Sequence, residues 1–154
     1  MGNLQSPPLL ELWLPADSEA VPEARRTAMK ACLAVGLDDE DCFSLDLALG
    51  EALANAVVHG APAASRPAGH ERHVCISLWS FQDQLIIQVS DHGQGFEPPL
   101  PPYPMPPAAQ GDVHGRGLPL METLTDAMMV CRGDVHSGGA SVFLVKKMRG
   151  LTAV

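Results

Sequence analysis

Glu51-Ala52-Leu53-Ala54-Asn55-Ala56-Val57-Val58-His59 is the stretch that most narrows what this chain can become. It lies in a helical pattern, and residues four apart share a helix face, so Glu51 and Asn55 point the same way. Their neighbours are Ala, Leu and Val, which give no surface reason for a polar pair. A carboxylate beside a neutral oxygen donor suits one task well: holding a hydrated Mg²⁺ while activating a hydroxyl or water. The same spacing also describes two polar residues at the solvent edge of a buried helix. The pair alone does not separate the two.

The 154 residues, 46% of them hydrophobic, suffice for one domain with its own core, expected to span 1–154. No apolar run approaches the roughly 20 residues that a spanning helix needs. Met1 to Pro8 lacks a basic region followed by an apolar stretch, so no secretory signal and a cytoplasmic location are expected. The net charge is −8 and no basic stripe appears, which argues against direct nucleic-acid binding and against anionic membrane surfaces. ATP is not excluded, because local backbone amides and one or two cations outweigh distant carboxylates. Cys32, Cys42, Cys75 and Cys131 form no CxxC pair. They read as reduced core residues, with a zinc site as the minority alternative.

Along the chain, Leu9–Pro15 reads as a first strand stopped by proline. Asp17 or Ser18 caps a helix that carries Pro22 in its first turns and ends at Gly36. A second helix starts near Asp38 with an acidic first turn and runs to about His59, stopping at Gly60. Pro62–Gly69 reads as a flexible loop. His73–Trp79 and Leu85–Ser90 flank a short Gln82-Asp83-Gln84 turn as a hairpin. After Asp91 comes a proline-dense run, then Gly115-Arg116-Gly117 opens a helix to about Thr125. Ala127–Cys131 and Ala140–Lys146 close the chain as strands around the Gly133–Gly139 turn. This order predicts a two-layer α+β sandwich, a mostly antiparallel mixed sheet with helices on one face.

Two glycine motifs sharpen the helix pair. Asp91-x-Gly93-x-Gly95-Phe96 follows a strand, where a carboxylate accepts a hydrogen bond from an exocyclic amine such as that of adenine. Its glycines let backbone approach a ligand closely, though D-x-G also serves in plain turns. Gly115-Arg116-Gly117-Leu118 sits at a loop-to-helix junction, where free N–H groups and the helix dipole favour phosphate. Neither motif is a P-loop or a Rossmann fingerprint. The proline-rich run between them, inside a loop of about 97–114, is either a polyproline ligand or a lid, and its place between the motifs favours the lid.

In this order, these motifs resemble the Bergerat, histidine-kinase-like ATP-binding fold of DNA gyrase, Hsp90, histidine kinases and MutL. Within that group the chain is most similar to the small anti-sigma-factor serine kinases of bacterial partner-switching systems. The resemblance rests on Glu51, Asn55, Ala56 and His59, on Asp91, Gly93, Gly95 and Phe96, and on His114-Gly115-Arg116-Gly117-Leu118-Pro119-Leu120. It covers nearly the whole chain, including Val142-Phe143-Leu144-Val145-Lys146-Lys147. No histidine-bearing dimerisation domain precedes these motifs and no transducer domain follows, which favours the stand-alone kinase type.

The resemblance implies roles. Asn55 would coordinate the Mg²⁺ that bridges the phosphates of ATP, and Glu51 would be the general base for a serine hydroxyl. Asp91 would read the adenine amine, beside a pocket shaped by Gly93, Gly95 and Phe96. His114, Gly115, Arg116, Gly117 and Leu118 would hold phosphates and the lid hinge, and His59 would support the metal corner. The implied partners are a sigma factor or similar client, a STAS-type anti-sigma-factor antagonist as substrate, and a second copy in a homodimer. Two positions depart from the pattern. Val113-His114 replaces a basic lid residue, and Gly139-Ala140, followed by Ser141, replaces Gly-Thr. The implied activity is ATP-dependent serine phosphorylation. The alternative is a partner-sequestering ATP-binding switch with little transfer.

Overall fold

The computed structural model describes residues 6–59, 73–91, 117–132 and 140–148. Strand β1 (Leu10–Pro15) leads through a 3-10 turn at Ser18–Ala20 into helix α1 (Val21–Ala34), then helix α2 (Asp39–His59). The hairpin β2 (His73–Phe81) and β3 (Gln84–Asp91) follows, then helix α3 (Gly117–Leu124) and strands β4 (Ala127–Arg132) and β5 (Ala140–Lys147).

Local chemistry explains the boundaries. Asp17 Oδ1 accepts from the Glu19 N–H at 3.0 Å, and Pro22 occupies the first turn of α1, where no N–H is needed. Gly36 takes φ +108 beyond the end of α1, with Gly36 N bonded to Leu33 O and Leu37 N to Cys32 O. This is a glycine-terminated Schellman end. Asp38 starts α2, its Oδ1 accepting from the Asp41 N–H at 2.7 Å. Gln82 adopts φ 55 in the two-residue turn between β2 and β3.

The sheet order is β1-β2-β3-β5-β4, antiparallel at all four pairings. Alternation sorts its side chains. Leu14, Val74, Ile76, Leu78, Leu85, Ile87, Val89, Val142 and Leu144 face the helices and share one core with Ala28, Cys32, Leu45, Leu49, Leu53 and Met121. The opposite face carries a polar cluster. Ser90 Oγ and Ser141 Oγ lie 3.0 Å apart, and Gln88 Nε2 donates to Ser141 Oγ at 3.2 Å.

The cysteines carry no disulfide. Cys32 and Cys42 belong to the core, as the sequence suggests. Cys75 is buried outside that core cluster, its Sγ 3.7 Å from Ser77 Oγ, and Cys131 is only half-buried. Strand alternation places these two on the sheet face away from the helices, and that is why they depart from the core assignment. Burial, then the nearby Cys42, pushes the Cys32 thiol up to about 12. Burial also raises Cys42 and Cys75.

Candidate nucleotide site

Helix α2 has two flanks on either side of its buried face. On one, Arg25 of α1 donates to Asp46 through Nε at 2.9 Å and through Nη2 at 3.1 Å. Gly50 lies under the same guanidinium, where an added Cβ would come within 3.0 Å of Arg25 Cζ. At about 100° per residue, Glu51 and Asn55 project from the other flank, away from α1. Both are half-buried. Among the described residues no side-chain hydrogen bond or ion pair engages either of them.

A buried contact shows what lies along that second flank. Lys146 Nζ on β5 stands 3.5 Å from Asp41 Oδ1, in the first turn of α2, and donates to the carbonyl of Leu124, the last residue of α3, at 3.0 Å. The start of α2 and the end of α3 therefore meet at one cation, and the two helices pack against each other in opposite directions. From Leu124 back to Gly117 is about 10 Å of helix, and from Asp41 on to Glu51 about 15 Å. The start of α3, with Gly117 and Leu118, thus falls about one helical turn short of the level of Glu51.

The same anchor locates Asp91. Residues Leu45 to Ala56 of α2 contribute to one core with β3 and β5, so the helix lies along the sheet. Lys146 to Ala140 is about 20 Å of strand, and Asp41 to Asn55 about 21 Å of helix. Ala140 pairs with Asp91, so Asn55 and Asp91 end at the same edge of the molecule. Asp91 continues the helix-facing alternation of Leu85, Ile87 and Val89. Its row across the sheet reads Leu14, Val74, Asp91, Ala140, Arg132, and Leu14, Val74 and Ala140 are buried. A half-buried carboxylate thus stands between two buried apolar residues of its row, under the helix layer.

Helix and strand lengths thus set Glu51 and Asn55 on one flank of α2, α3 packed against that helix, and Asn55 and Asp91 toward the same edge of the sheet. Gly93, Gly95, Phe96, His114, Gly115, Arg116, the loop of about 97–114, Pro62–Gly69 and the Gly133–Gly139 turn lie outside the described residues, as does the side chain of His59. Ser141, beside one departure from the family pattern, spends its hydroxyl on Ser90 and Gln88 on the far face of the sheet. Sequence reasoning missed the Lys146–Asp41 contact. The alternation Ala140, Val142, Leu144, Lys146 was the available signal, since it turns Lys146 inward.

The donors present fit a nucleotide with its cation. Among the described residues no group of three or more His, Cys, Asp or Glu could hold a metal unaided. A cation at Asn55 would complete its shell from phosphate oxygens and water, the usual arrangement for Mg²⁺ in nucleotide sites. The carboxylate of Asp91 between two apolar residues suits an amine-bearing flat ring, and the N-terminus of α3 suits phosphate.

Residues 14–146 match the model of the histidine kinase-like ATPase domain. The chain is similar to the serine-protein kinase RsbW of Bacillus velezensis, at 30% identity over 92% of this chain and 86% of that protein. The serine-protein kinase RsbW of Bacillus subtilis is 31% identical over the same shares. A solved structure of the RsbU and RsbW domains of a Mycobacterium tuberculosis protein superposes with a TM-score of 0.62 at 19% identity. It covers 93% of this chain, which spans 33% of that longer one, and it speaks to the fold alone. The chain belongs to the histidine kinase-like ATPase domain family and, within it, to the serine-protein kinases of the RsbW type.

Proposed function

We propose that this serine kinase phosphorylates a small STAS-type anti-sigma-factor antagonist and holds a sigma factor or similar client, its choice of partner set by that phosphorylation. The observation that carries the reading is the placing of Glu51 and Asn55 on one flank of α2, with α3 packed against that helix and Asp91 toward the same edge of the sheet as Asn55. The names of the Bacillus relatives support a serine as the acceptor.

Mg–ATP, when bound, supplies the phosphoryl group and the cation that offsets its charge. The carboxamide oxygen of Asn55 would ligate that cation. Glu51, one turn away on the same flank, accepts the proton of the serine hydroxyl as general base. Asp91, between Val74 and Ala140 in its row, would accept a hydrogen bond from the adenine amine. The N–H groups at the start of α3, at Gly117 and Leu118, would hold phosphate, and the dipole of the helix would add to their pull. Gly93, Gly95 and Phe96 are proposed to shape the adenine pocket, and His114, Gly115 and Arg116 to hold the phosphates, on the strength of the family motif.

No helix among the described residues is long and apolar enough to cross a membrane, and we place the protein in the cytoplasm. Its homodimer would use β1, an edge strand that exposes Trp13 beside an exposed Leu9. One observation favours a second reading, a partner-sequestering switch with little transfer. Ala140 stands where relatives often carry threonine, and the hydroxyl of Ser141 is engaged on the other face. Labelled ATP added to the protein with a lysate of its own organism separates the two. Label on a small protein, abolished by Glu51→Gln, supports the kinase. Nucleotide binding without any labelled protein supports the switch.

A further inference from the structure

Lys146 is an unusual residue for its place. It belongs to the inward row of β5 with Ala140, Val142 and Leu144, and it is 7% exposed. Its ammonium contacts two helices at once, the Asp41 carboxylate at the start of α2 and the Leu124 carbonyl at the end of α3. The charges suit both ends. A carboxylate in the first turn of α2 complements its positive end, and a cation at the last carbonyl of α3 complements its negative end. Other bonds tighten the same corner. Thr125 Oγ1 donates to Met121 O at 2.7 Å, Asp126 N to Val145 O at 2.9 Å, and Lys147 N to Asp126 Oδ2 at 2.7 Å.

We propose that Lys146 is a positioning residue for the nucleotide site, acting from the far end of the two helices that carry it. Glu51 and Asn55 stand on α2 and the phosphate-facing Gly117 on α3, and Lys146 ties these two helices together. Helix α3 packs along α2, with Met121 in the shared core. A cation bonded to both helices sets their relative height, and with it the distance from the start of α3 to the Glu51–Asn55 flank. Lys146 touches neither substrate nor cofactor in this arrangement. It acts through the placement of α3. The inference rests on the proposed nucleotide site.

The test separates positioning from plain stability. Lys146→Met removes the cation that meets the buried Asp41 carboxylate, whereas the pair Lys146→Met with Asp41→Leu replaces both charges by apolar groups and should regain a wild-type unfolding midpoint. The expected result for the stable double variant is a KM for Mg–ATP raised at least fivefold, with kcat changed less than twofold. A KM that returns to wild type together with the midpoint makes Lys146 structural only and overturns the proposal. A milder variant, Asp41→Asn, gives a second measurement that does not depend on the double variant folding. Hydrogen exchange at Met121–Leu124 should speed up at least fivefold while β2 and β3 stay unchanged, and equal protection of α3 in both proteins overturns the claim. If the wild type binds no adenine nucleotide, the proposed function falls, and the exchange measurement alone decides whether Lys146 positions α3.

Discussion

Asp41 and Glu51 are both carboxylates on α2, and the molecule treats them in opposite ways. Asp41 is buried at 6% exposure and meets a cation from another element. Glu51 is half-buried, and among the described residues no hydrogen bond or ion pair engages its side chain. Burying a carboxylate without a partner is costly, and Lys146 offsets that cost at Asp41 Oδ1. Glu51 stays in reach of water and of a ligand, and the fold leaves it available. Along one helix, then, a polar group that holds the structure together is told apart from one kept for chemistry by whether the fold already answers it.

The largest expected effect tests the chemical end. Glu51→Gln should lower phosphoryl transfer by about 100-fold or more, the usual range for a lost general base, with Mg–ATP affinity and unfolding midpoint unchanged. A transfer assay at wild-type rate would remove Glu51 from its role and dissolve the contrast. The structural end comes next. Lys146→Met should cost about 3–5 kcal/mol by denaturant unfolding, because it removes the cation that meets the buried Asp41 carboxylate. A loss below about 1 kcal/mol would put Asp41 in the same class as Glu51.

Asn55→Ala should weaken Mg–ATP binding by roughly tenfold, about 1.4 kcal/mol, while leaving stability near wild type. Calorimetry showing unchanged affinity would mean that the free flank of α2 does not bear on the cation. Cys32 supplies a pH signature for the core beneath both ends. Its folded value, about 12, lies above the ordinary 9.0, so its contribution to stability is whole below about pH 9 and is lost as pH rises toward 12. By pH 10 the wild type should lose roughly 1 kcal/mol from this source relative to Cys32→Ala, read as a steeper alkaline fall in unfolding midpoint. The smallest effect belongs to the half-exposed Arg25–Asp46 pair. Asp46→Ala should cost only about 0.5 kcal/mol, since solvent screens it, and a cost like that of Lys146→Met would show that burial does not set the difference.

Much of this was legible before any coordinates. Asp38 at the start of α2 and Gly36 at the end of α1 are local signals, and both mark boundaries in the structure. The alternation of Leu85, Ile87 and Val89 points to Asp91 as the next helix-facing residue, and the four-residue spacing of Glu51 and Asn55 sets them on one flank. The pairing of Lys146 with Asp41 was not legible in the same way, because the two are far apart in sequence and either could have met another partner. Cys75 and Cys131 are the instructive misreading. Apolar neighbours suggest a core residue, but in a strand the neighbours face the other way.

The sequence by itself determined the elements, their order, the inward and outward faces of each strand and the family to which the chain belongs. These follow from local periodicity, from caps and from motifs a few residues long. Only the tertiary structure decided that β1 forms an edge, that α3 runs along the flank of α2 opposite Arg25, and that Glu51, Asn55 and Asp91 reach the same end of the molecule. Those relations depend on long-range pairing and on the matched lengths of helix and strand measured from Lys146, and no window of sequence contains both ends of such a distance.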